Sequence, residues 1–279
     1  MTEFVVGGIV AVLFWVTVIS IFKLKKDKPK YFAACEFWVY LPHEKLPSQE
    51  AVMTAMVAQN PHARPGFTPI GSKEGILFSD IRLHVSHVLR SKNPHTFRPD
   101  LFEDGVVVSA GTLAALAESH SFVKVRYVSE VPLADSRHLT FMLHFADAYA
   151  RLGGATAVYD VVSEVLYTPE EFHARIGEHA DTTRPELHVR VEWNPVRGVA
   201  FTKGLIKVGL PELETAGASA DMRQLVVEVM REAAHRYWEV GSAEGPMVVE
   251  YFGDRFEVTP KPKKGGGKEV HIVRIQARV

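Results

Sequence analysis

Nineteen consecutive residues without a charge, Phe4–Phe22 (FVVGGIVAVLFWVTVISIF), constrain this chain more than any other feature. At about 1.5 Å per residue a helix of that length reaches roughly 28 Å, close to the ~30 Å hydrocarbon core of a bilayer. Its polar members, Thr17 and Ser20, can bond back to helix carbonyls. The run predicts a single transmembrane helix that meets the lipid bilayer through residues 4–22.

The flanks predict its direction. No Lys or Arg precedes the run, whereas Lys23, Lys25, Lys26, Lys28 and Lys30 follow it. Basic residues stay on the cytoplasmic side. The N-terminus is therefore expected outside and the rest inside, at the inner membrane, with the five lysines next to lipid headgroups. A cleaved signal peptide would carry its basic block before the apolar run. Residues 1–30 hold five Lys against Glu3 and Asp27, a charge of +3, so the other 249 residues carry −4 of the total −1.

That near-neutral total argues against a general nucleic-acid binder, which needs a basic excess. One cysteine, Cys35, excludes a disulfide scaffold and any multi-thiolate metal site. Beyond the lysines the pattern alternates strands and helices without regular βαβ spacing, which predicts an α+β domain. Strands are expected at 32–41, 76–89 (one long strand, or a strand and a bend), 105–109, 122–131, 155–166, 187–193, 198–208, 247–258 and 269–279. Helices are expected at 49–59, 112–119, 137–152, from Thr168-Pro169-Glu170-Glu171 to Gly177, and at 220–240. Thr168 is a capping residue, with Pro at the first helical position and an acid at the third. The polar stretch before Pro185 divides the body into subdomains 31–184 and 185–279, behind an anchor (1–22) and a basic linker (23–30).

The helix over 137–152 carries the densest chemistry. Arg137, Thr140, His144, Asp147 and Arg151 recur at spacings of three and four, one polar stripe on an otherwise apolar helix. The stripe is either a solvated face or faces a ligand, with His144 and Asp147 the pair to watch for catalysis. No metal site and no cofactor are expected. His84 and His87 fall on opposite faces of a strand, His138 and His144 lie about 240° apart on a helix, and His173 and His179 span a helix end. Ser109 lacks the glycine two residues earlier that a nucleophile elbow needs. Gly265-Gly266-Gly267-Lys268 lacks the first glycine of a phosphate loop.

Two phrases resemble uncharacterised bacterial domains. One is Gly153-Gly154-Ala155-Thr156-Ala157-Val158-Tyr159-Asp160 followed by Thr168-Pro169-Glu170-Glu171-Phe172; the other runs from Thr202-Lys203-Gly204-Leu205-Ile206-Lys207 through Val208-Gly209-Leu210-Pro211-Glu212-Leu213. The resemblance covers residues 120–240. It implies a bacterial origin and an α+β domain, and carries no catalytic residue over. The glycines at 204 and 209 point to bends or close backbone approach, shaping either the fold or a cleft.

Taken together, the sequence predicts a membrane-anchored cytoplasmic interaction or scaffold domain with a protein partner, an accessory subunit of a larger assembly. The alternatives are a hydrolase-like enzyme using His144 and Asp147, or a ligand-sensing or defence protein signalling at the membrane. Oligomeric state is not legible.

Overall fold

The computed structural model describes residues 32–59, 82–102, 110–263 and 266–275. They form a mixed α/β fold with two sheets. The first part supplies β1 (Ala33–Leu41), α1 (Gln49–Gln59), β2 (Leu83–Leu89), α2 (Ala110–Glu118), β3 (Ser121–Ser129), α3 (Arg137–Leu152), β4 (Ala157–Asp160) and β5 (Val165–Tyr167). The strands lie in the order β2-β3-β1-β4-β5, antiparallel at every pairing.

The central strand, β1, explains why this sheet is covered on both faces. Side chains alternate across a strand. Cys35, Phe37 and Val39 enter the main core, on the side where α3 packs on β1 and α1 packs on α3. Trp38 and Tyr40 point the other way into an aromatic cluster with Phe97, Phe102, Phe122 and Tyr159. Phe37 is fully buried, and truncating such a ring to Ala costs about 3–5 kcal/mol.

α4 (Pro169–Gly177) follows and packs on α3, β4 and β5. The second part supplies α5 (Pro185–His188), β6 (Arg190–Asn194), β7 (Val199–Lys203), β8 (Leu213–Thr215), α6 (Arg223–Val240), β9 (Met247–Tyr251), β10 (Asp254–Pro262) and β11 (Lys268–Ile275). Its sheet runs β6-β7-β8-β11-β10-β9. Only β8 and β11 pair in parallel; the other neighbours are antiparallel. α6 buries Val226, Val229, Met230, Ala233 and Tyr237 against this sheet, at the spacings of one helix face. One apolar core runs continuously through residues of both sheets.

A 3-10 turn, Leu205–Val208, joins the two sheets by packing on β1. Gly204 and Gly209 flank it with φ of 114° and 79°. A Cβ on Gly204 would collide with the His188 carbonyl oxygen, and one on Gly209 with the Phe32 ring. Glu212 caps the turn, accepting from Gly204 N at 2.9 Å, Ile206 N at 3.2 Å and Thr202 Oγ1 at 2.7 Å. Both glycines of that phrase are thus fixed by the fold.

The expected architecture of a membrane-spanning helix followed by an α+β domain is corrected. Among the described residues no helix is long and apolar enough to cross a membrane. The longest is α6, at 18 residues, and it carries Arg223, Glu228, Arg231, Glu232, Arg236 and Glu239. The apolar run 4–22, the lysines at 23–30 and the expected strand 105–109 lie outside the described residues.

Three expected strands are broken, and a fourth, 187–193, begins only at Arg190 because Pro185–His188 form a short helix. In 155–166, Asp160 Oδ1 accepts from Val162 N and Ser163 N, and Glu164 takes a positive φ of 53°, reversing the chain between β4 and β5. In 247–258, Phe252 and Gly253 take φ of 49° and 82°, the signature of a tight hairpin turn between β9 and β10. In 198–208 the strand stops at Lys203 and the 3-10 turn follows. The helices at 49–59, 137–152 and 169–177 match their expected bounds.

Candidate functional site

The polar stripe of α3 divides when the helix is packed. Arg137 stays at the surface, its Nε 2.7 Å from Asp135 Oδ2. Thr140, His144 and Asp147 face the segment formed by α4 and the chain beyond it. Twelve of the sixteen α3 residues are buried, His144 and Asp147 included. Arg151 lies at the outer end, its Nε 3.2 Å from Asp147 Oδ2.

Between α3 and α4 lies a pocket of about 250 Å³, lined by His144, Asp147, His173, Ile176, His179 and Thr182, with Gly177 and Ala180 completing the wall. α4 is placed by its first turn. Thr168 Oγ1 accepts from Glu171 N at 3.1 Å, and Glu171 Oε2 accepts from Thr168 N at 3.0 Å, a reciprocal capping box. Phe172 and Ile176 then pin one face of α4 into the core. His173, next to Phe172, is carried to the border of that face and reaches Asp147.

His173 Nδ1 lies 3.1 and 3.2 Å from the two oxygens of Asp147. The Asp147 side chain is 1% exposed, whereas His173 is 51% exposed. An ionised carboxylate can only accept, so Nδ1 is the donor in this contact, and in the neutral ring Nε2 keeps its lone pair. On the far wall Thr182 Oγ1 donates to Thr140 Oγ1 at 3.1 Å, tying the chain after α4 to α3. Behind it the Thr182 carbonyl accepts from His188 Nε2 at 2.8 Å, and His188 stacks on Trp238 at 5.5 Å between centroids. Burial holds the His188 imidazole well below its ordinary pKa, so it is neutral here.

The stripe was legible from spacing; its partners were not. His173, His179 and Thr182 come from 26 or more residues further on, and no periodicity connects them to Asp147. The only signal was the capping box, which fixes where α4 begins. Chemically the arrangement can bind a small polar group, and an imidazole oriented by a carboxylate can also take a proton from one. Thr182, the hydroxyl among the lining residues, is engaged with Thr140. Among the described residues no group of three or more His, Cys, Asp or Glu is placed to hold a metal ion. Ser109 lies outside the described residues.

A second buried polar group stands apart from this pocket. Lys207 Nζ reaches Asp160 Oδ2, Ser163 Oγ at 2.8 Å and the His188 carbonyl at 3.3 Å. Lys207 and Asp160 are shielded from solvent, and the four groups join the two sheets rather than line the pocket.

Compared with known proteins, the chain matches no family model, no curated protein and no solved structure.

Proposed function

We propose that this chain is an interaction domain, an accessory or scaffold component, whose pocket between α3 and α4 receives one polar side chain of a protein partner. The observation that carries this reading is the fixed His173–Asp147 pair at the edge of a pocket of about 250 Å³. Drug-sized ligands fill roughly 300–1,000 Å³, so this volume suits a single side chain or a comparably small group. Ile176, Gly177 and Ala180 supply an apolar wall and His173 and His179 the polar contacts, a composition typical of recognition pockets. A photo-crosslinking residue at Ala180 in the full chain tests it, with Val196, 94% exposed, as control. One defined adduct at 180, absent at 196 and lost in His173→Ala, is expected; adducts that ignore His173→Ala would overturn the reading.

A second reading is hydrolytic, with His173 Nε2 as general base on a water molecule. The Nδ1 contact to both Asp147 oxygens favours it. Ester hydrolysis by the full chain that disappears in both His173→Ala and Asp147→Asn would select this reading over the first.

A further inference from the structure

α4 borders a second cavity on another face. Arg175 follows His173 by two residues, about 200° around the helix axis, and lines a different cavity of about 400 Å³. Arg190 from β6 and Arg231 and His235 from α6 line it too. The last two are four residues apart and share a helix face.

The arginines are not equivalent. Arg190 is paired with Glu192 and Arg231 with Glu228. Arg175 instead donates to the backbone carbonyl of Glu186 and lies over the Tyr167 ring, 6.0 Å from its centroid. A carbonyl and an aromatic face hold a guanidinium in place without cancelling its charge. The Arg175 Nε is buried and donates to nothing. Glu186 lines the same cavity, with His235 Nδ1 3.9 Å from one oxygen, while its other oxygen, Oε2, is buried and accepts from nothing. Native structures leave few buried polar groups unpaired. Here an orphaned donor and an orphaned acceptor belong to neighbouring residues of one cavity.

We infer that this cavity binds a phosphate group that keeps one proton. Such a group offers oxygens to Arg175 Nε and to the arginines beside it, whose planar forks suit oxyanions. Its remaining P–OH offers the donor that Glu186 Oε2 lacks. A phosphate monoester loses its second proton near pH 6, so the protonated form is accessible around neutrality. Sulfate has no proton to give and leaves Glu186 facing an anion. The site is separate from the His173 pocket, and its test does not depend on that reading.

The experiment is thermal unfolding of the full chain at pH 6.5 with inorganic phosphate, glycerol phosphate or sulfate, each against chloride at matched ionic strength. Phosphate or its ester at millimolar concentration should raise Tm by about 2–4 °C, and sulfate by less than half as much. A larger rise with glycerol phosphate assigns the cavity to a phosphorylated molecule, and a larger rise with phosphate to the free ion. Arg175→Gln should abolish the rise, while Arg197→Gln, at a surface pair with Glu214, should keep it. Should Arg175→Gln not fold, Arg231→Gln serves instead and should cut the response several-fold. No rise with either phosphate, equal rises with phosphate and sulfate, or a rise that survives the cavity substitutions would overturn the assignment.

Discussion

Lys207 Nζ sits 2.5 Å from Asp160 Oδ2, and the two side chains are 0% and 2% exposed. Each residue belongs to one of the two phrases that drew attention in the sequence, and the contact closes the first sheet onto the turn that connects β7 and β8 of the second. The ammonium also donates to Ser163 Oγ and the His188 carbonyl, and Asp160 accepts two backbone amides, so both charges are solvated by protein.

Removing one partner strands the other charge. Lys207→Met is expected to lower unfolding stability by about 3–5 kcal/mol. Adding Asp160→Asn should recover part of that loss. Urea midpoints of the two single variants and the double variant check it; strict additivity of the losses would show that the pair is not coupled.

Stability should fall as the solution is acidified. Burial lowers the His138 pKa from 6.5 to about 4, and that of His188 well below 6.5. The folded state keeps both rings neutral while the unfolded chain takes up protons below its pKa of about 6.5. Unfolded chains then bind more protons, so stability is full above that value and declines as pH drops toward the folded value. For His138 the complete loss is about 3 kcal/mol, at roughly 1.4 kcal/mol per pH unit. Urea midpoints between pH 7.5 and 4.5 should show the decline, and His138→Phe should make it shallower while the His188 part remains. A profile level down to pH 5 would contradict the burial of both rings.

Asp147 sets the tautomer of His173. In the unsubstituted chain the proton is expected on Nδ1, and Asp147→Asn should shift the population toward the Nε2–H form. Loss of charge-assisted hydrogen bonds should lower stability by about 1.5–3 kcal/mol. Long-range nitrogen–proton correlation spectra of the imidazole ring read the tautomer directly. An unchanged pattern in Asp147→Asn would mean that the contact does not orient the ring.

The α4 cap supports the pocket at one remove. Thr168→Ala should cost about 1 kcal/mol and should loosen the first turn, which hydrogen exchange at Phe172 and His173 would report. Exchange rates equal to those of the unsubstituted chain would show that packing of Phe172 and Ile176 alone fixes the helix.

What the sequence reveals here depends on whether the cause is local. The α4 boundary follows from a cap, a proline and an acid within four residues, and the α3 stripe follows from helical spacing. The β9–β10 turn was hidden because its first residue in the left-handed region is Phe252, where Asn or Gly would have signalled it. The β4–β5 turn was hidden because Val161 and Val162 read as strand residues and the positive φ falls on Glu164 rather than on Gly or Asn. The pocket was half legible. His144 and Asp147 share a helix, but His173 and Thr182 arrive by tertiary packing, which one-dimensional spacing does not encode.

The parallel seam between β8 and β11 has a consequence for how the molecule is made. Thr215 pairs with Val270, and β11 lies between β8 and β10 although it is synthesised after both. At about 5–20 residues per second, the ribosome releases β6, β7 and β8 seconds before the strand that must sit beside them. Until β11 is made, β8 and β10 each lack the neighbour that joins them in the finished sheet.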